Sequence, residues 1–237
     1  MSHPLDDAYV RLNWAMKRLT ELKSVVEAFI DREHEIAEGT IQINPQPGVP
    51  FQITRPESPI PGDVPVLLSE VIQHLRSALD YLVFQLAILD SGAEQKQTQF
   101  PIENSPNQFG GQSKSRLKGL NTAHIAAIEK LQPYNGVNWT RLLRDLSNPD
   151  KHRHLSTQIH NTAIELAHGN DPTQVFAPPG VKGLFIDVTT VSEPRMYVQF
   201  HVAFFIAFED GTPVIDTLEQ IQAEVANVLA DFKPEFK

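Results

Sequence analysis

Leu5, Leu12, Leu19 and Val26 recur every seven residues, and Ala8, Ala15, Leu22 and Phe29 do the same. Over residues 4–38 this spacing predicts one long amphipathic helix with a seam for a partner helix. A second helix is predicted over 66–89, where Leu68, Val71, Ile72, Leu75, Leu79, Leu82 and Leu86 fall in one narrow arc, the signature of a central bundle helix. The stretch 122–148 reads as helix in two pieces. The first carries Ile125, Ile128 and Leu131, is capped by Asn121 or Thr122 and stops at Pro133; the second carries Leu142, Leu143 and Leu146 and breaks where Asn148 precedes Pro149. The last predicted helix, 215–233, places Leu218, Ile221, Val225, Val228 and Phe232 at the same three-four spacing as the first, so the two terminal helices are expected to pair.

Between these helices the period changes to two. Met196, Val198, Phe200, Val202, Phe204, Ile206 and Phe208 alternate along 196–208, and 155–167 and 183–191 also look extended. Prolines at 45, 47, 50, 56, 59, 61 and 65 surround two short alternating runs, which suggests an edge hairpin over 41–54, where missing N–H groups do least harm. The expected fold is therefore α+β: a single domain, 1–237, with a bundle of four or five helices packed with an antiparallel β-sheet made mainly by 155–208.

Composition narrows the chemistry. The 237 residues are 41% hydrophobic, enough for a sizeable core, and include no Cys, which removes disulfides, thiolate metal sites and a cysteine nucleophile. No apolar run is long enough for a membrane span and the first residues lack a secretion-signal pattern, so a cytoplasmic location is expected. The net charge of −9 argues against a polyanion held over the whole surface. Between Gly111 and His154, however, eight Lys or Arg face three acids, a local +5 that leaves −14 for the remainder.

That basic third contains the densest ionisable run, Asp150, Lys151, His152, Arg153 and His154. His152 titrates near neutrality among Lys151, Arg153 and Arg144, a grouping suited to proton transfer beside a phosphate. The other reading is a solvated helix start capped by Asn148 or Asp150. On the second helix, Arg76 and Asp80 lie one turn apart, spaced for an ion pair, with His74 and Tyr81 on the opposite flank. Candidate catalytic residues are thus His152, Arg144 and Asp150, and candidate ligand-binding residues Arg76, Asp80, Asn148, Lys151 and Arg153. Arg76, Asp80, Asp150, His152 and Arg153 are expected to converge. No cofactor is implied, and Lys151 and Arg153 would repel a dication at His152 and His154, so no metal is expected.

The blocks HLRSALDYLVFQLA, TQFPI, LQPY and LSNPDKHRHL, in this order, resemble those of a family of uncharacterised bacterial proteins over about residues 62–156. The run Ser147 to His152 is also similar to the motif of HEPN domains, helical bundles that include metal-independent RNases: Arg, a polar residue, three residues, then His. Asn148 and His152 match, while Ser147 stands in the Arg position, so the resemblance implies nuclease chemistry only with an arginine such as Arg144 or Arg76 supplied from elsewhere. Two functions follow as expectations. One is an RNA- or phosphate-directed module using His152; the other is a structural or partner-binding bundle, with a homodimer through the helical seams as one form, in which the charges lock helix to sheet.

Overall fold

A computed structural model describes residues 3–37, 39–43, 51–53, 59–147, 155–168, 171–176, 184–186, 196–208 and 210–236, with side chains over 3–32, 59–147, 205–208 and 210–236. The described residues include six α-helices: α1 (Asp6–Ala37), α2 (Asp63–Ser91), α3 (Pro106–Arg116), α4 (Thr122–Lys130), α5 (Asn138–Leu146) and α6 (Val214–Phe232). Among the described residues, no helix is long and apolar enough to cross a membrane.

The chain forms two compact units: 1–23 with 63–154 and 214–237, and 24–62 with 155–213. The first is helix packed on helix. Its core runs along α2, where Val64, Leu68, Val71, Leu75, Ala78, Leu79, Leu82, Val83, Leu86 and Ala87 are completely buried, and α2 packs against both α5 and α6. Leu5, just before α1, and Ala8, Leu12, Ala15, Leu19 and Leu22 along it are all buried in this unit, as the sevenfold spacing predicts. Lys23 near one end of that stretch pairs with Glu219, and the Lys233 ammonium lies 5.5 Å from the Tyr9 ring centroid. The first and last helices therefore run side by side and antiparallel.

Local chemistry sets the helix ends. Asp6 and Asp7 occupy the first turn of α1, where carboxylates meet the positive end of the helix dipole. Ser105 caps α3, with Pro106 at its first position, and the Asn121 side chain caps α4 by accepting from the His124 N–H at 2.8 Å. Gly119, at φ 90°, makes the turn between α3 and α4, and a Cβ there would meet the Gln95 side chain at 2.7 Å.

In the second unit the backbone pairs strands β1 (Gly39–Ile43), β3 (Leu155–His168), β4 (Asp171–Phe176) and β6 (Met196–Phe208) antiparallel in the order β1-β6-β3-β4. β2 (Phe51–Ile53) pairs separately with β5 (Leu184–Ile186). Pro172 falls in β4, the edge strand, where a missing N–H is tolerated.

The α+β expectation of a bundle packed with an antiparallel sheet is corrected. Helices make up most of the described residues, and the helical unit packs helix on helix. The physical reason lies in α2: Ala78, Val83 and Ala87 extend its apolar surface beyond the narrow arc, and helices α5 and α6 cover it. The helix count also differs. α3 was not legible because Phe109 is its only buried residue. The hairpin over 41–54 is corrected too, since β1 and β2 take partners in β6 and β5 and do not pair with each other. The intervening segment carries Pro45, Pro47 and Pro50, a composition unlike the two-residue turns that close hairpins.

Candidate functional site

After α2 the chain returns along the bundle as an irregular strap, Gln99–Asn104, and most of the described site residues meet there. Gln97, in the left-handed region at φ 66°, leads into it. Phe100 is wholly buried, and both of its peptide groups are held by α2: its N–H donates to Asp80 Oδ1 at 2.8 Å, and its carbonyl accepts from Arg76 Nη2 at 2.5 Å. One-turn spacing on the helix thus matches the separation of a residue's two backbone groups. Burial raises the Asp80 carboxyl above its ordinary value, opposed by the Arg76 charge and the Phe100 N–H. Burial likewise draws the Arg76 guanidinium down, opposed by Asp80. The two side chains meet through Phe100 and not as the direct ion pair that their spacing suggests. Arg76 Nη1 is enclosed without a hydrogen-bond partner.

The next residues of the strap are gripped by the LQPY block. Gln132 is fully buried; its Nε2 donates to the carbonyls of Pro101 at 2.9 Å and Ile128 at 3.1 Å, and its Oε1 accepts from the Glu103 N–H at 2.9 Å. Arg144 on α5 reaches the end of the strap, donating to Asn104 Oδ1 at 2.5 Å and to Asp145 Oδ1 at 2.8 Å. From α3, the Arg116 carbonyl accepts from the Gln99 N–H at 3.0 Å, and the Arg116 side chain lies 3.6 Å from Glu103. Arg76, Asp80 and Arg144 therefore serve one strap. Asn148, Asp150, Lys151, His152 and Arg153 lie outside the described residues, as does His154.

Two further groupings escaped the sequence reading. At the end of α2, Asp90 accepts from the Asn121 N–H and side-chain amide, both at 2.8 Å, and lies 2.7 Å from His124 Nδ1. His124 is 8% exposed and sits against Phe232, ring centroids 6.0 Å apart. This arrangement docks the start of α4 on the end of α2.

The other grouping is an open groove of about 350 Å³ between α1 and α2, lined by Arg11, Trp14, Arg18, Ser69, Glu70, Gln73 and His74. Trp14, 40% exposed, stacks on His74 at 6.2 Å with an interplanar angle of 25°. Lys17 Nζ lies 4.8 Å and Arg18 Cζ 5.5 Å from the Trp14 ring centroid, and Arg11 covers Tyr81 at 5.6 Å. Burial, with Arg11 next, lowers the His74 pKa against the pull of Glu70. An aromatic residue on the outward face of a heptad helix, set among cations at 11, 17 and 18, is the signal that marks this groove in the sequence. Among the described residues, no group of three or more His, Asp or Glu stands where it could hold a metal ion. No family model matches the chain, and no curated protein or solved structure matches it.

Proposed function

We propose that this chain is a non-catalytic binding module, a helical bundle in which Arg76, Asp80 and Arg144 fasten a strap and take no part in chemistry. The observation that carries this reading is the double grip of Asp80 and Arg76 on the two peptide groups of Phe100. Side chains committed to backbone groups have little freedom to follow a substrate, and buried hydrogen bonds of this kind fix one packing. Thermal melts of Arg76→Ala and Asp80→Ala test it. A large loss of stability in both is expected, and unchanged stability in both overturns it.

One observation favours a second reading, a metal-independent nuclease centred on His152. Arg76 Nη1 is buried and unpartnered, so its guanidinium retains a donor for the arginine role that Ser147 cannot fill. Incubating the protein with total RNA in EDTA, beside His152→Ala, separates the two. Cleavage lost in the variant supports the nuclease; no cleavage by either protein from pH 5 to 9 supports the binding module.

A further inference from the structure

Independently of the strap, we propose that the groove between α1 and α2 binds a nucleotide unit, its base stacking against Trp14 and its phosphate held by Arg11 and Lys17. Arg11 and Arg18 line the groove, Lys17 reaches it over the Trp14 ring, and the three cations are not equivalent. Arg18 is engaged by Glu21 at 2.5 Å and by Glu70 at 2.8 Å, whereas Arg11 and Lys17 have no carboxylate partner among the described residues. Two cations without carboxylate partners, at positions 11 and 17 around an exposed indole at 14, offer what a base with an attached phosphate requires, a planar apolar surface beside positive charge.

The ring system already shows how such a base would be held. Trp14 and His74 are stacked, and the Lys17 ammonium over the indole forms a cation–π contact. At an exposed site that contact contributes about 0.5–1 kcal/mol, less than the roughly 1–3 kcal/mol of a base on an aromatic ring. A base can therefore displace the flexible Lys17 head from the ring and leave it free for the phosphate. Ser69 and Gln73 line the same groove and provide both donors and acceptors for a base edge. His74 Nδ1 is enclosed with no hydrogen-bond partner, an unmet polar atom in the groove wall.

The groove has the volume of a small-ligand site, and the chain as a whole is acidic at −9, so one or two nucleotides would contact it and not a long polyanion path. A free nucleotide and one residue of a single strand present the same chemistry. Titrating the full chain with AMP and, separately, with an adenylate hexamer distinguishes them, tryptophan fluorescence being the readout. The only other tryptophan, Trp139, is 6% exposed, so quenching by a groove ligand reports Trp14.

Saturable quenching is expected with at least one probe: by AMP if the site takes a free nucleotide, by the hexamer alone if it takes a strand. With one phosphate held, hexamer affinity should fall about two- to threefold between roughly 50 and 200 mM salt. Fluorescein-labelled hexamer, or labelled AMP if that is the binder, should bind Trp14→Ala about tenfold or more weakly by anisotropy, as expected from a lost stack. Arg11→Glu, which keeps the tryptophan, should weaken binding comparably with an unchanged far-ultraviolet circular dichroism spectrum. Absence of quenching by either probe up to millimolar concentration overturns the proposal. So does binding that both variants retain, or quenching by an acidic peptide in place of both nucleotides.

Discussion

Asp90 closes the end of one helix onto the start of another by accepting three donors from two residues, and its contact with His124 is the shortest of them at 2.7 Å. The two side chains are 7% and 10% exposed, so neither partner can exchange the contact for water without local opening. Asp90→Ala would leave the Asn121 amides and the imidazole without their acceptor. A loss of about 2–4 kcal/mol is expected, since breaking a buried charged contact costs more than the net value of the bond. Urea denaturation checks it, and an Asp90→Asn variant that retains an acceptor should recover part of the loss.

At the strap, charge and hydrogen bonding at Asp80 can be separated. Its folded pKa lies above the ordinary 3.8, so this carboxyl contributes most to stability when protonated, and the contribution declines as pH rises through the folded value. Asp80→Asn removes that pH dependence and keeps an acceptor for the Phe100 N–H, though it leaves Arg76 without its counter-charge. Asp80→Ala removes the acceptor as well and orphans a buried donor at a cost of about 1–3 kcal/mol. The expected order of melting temperature is wild type, Asp80→Asn, then Asp80→Ala; equal melting of both variants would refute the backbone-clamp account.

Gln132 offers a neutral test of the same strap. Gln132→Leu keeps most of the volume and discards three hydrogen bonds, leaving the Glu103 N–H and the Pro101 carbonyl unmet. About 2–3 kcal/mol should be lost. Hydrogen exchange at Glu103 should rise by more than exchange in the centre of α2.

His74 carries a pH effect of the opposite sign to that of Asp80. Its folded pKa is pulled below the ordinary 6.5, first by burial and then by Arg11, with Arg18 adding to the fall and Glu70 opposing it. The folded state therefore binds fewer protons than the unfolded one, and the contribution to stability is complete above 6.5 and lost as pH falls through the folded value. Denaturation curves at pH 7 and pH 5 should lie closer together for His74→Gln than for the wild type.

The helices carried by apolar spacing were legible in the sequence because one face of each is a continuous row: Ala8 to Leu22 on α1 and Leu218 to Phe232 on α6 are buried as the pattern requires. α3 was hidden because Phe109 alone anchors its buried face. The strap was half legible. One-turn spacing marked Arg76 and Asp80 as a pair, but their shared partner, Phe100, is 20 or more residues away and is held through peptide groups that every residue possesses. Gln132 and His124 could not be found from a hydrophobic pattern, since the interior satisfies their polar atoms with specific acceptors and donors.

The helical unit is assembled from the two ends of the chain, 1–23 and 214–237, around 63–154. During synthesis α2 emerges with its apolar arc complete long before α6 exists to cover it. For the interval in which about 120 residues are added between the end of α2 and the start of α6, the most apolar of the described helices waits uncovered on that side. Such a nascent chain invites chaperone attachment, and its final closure follows release of the last helix. Ribosome-bound chains halted before Val214 should therefore remain protease-sensitive within α2, and chains extended past Phe232 should become resistant.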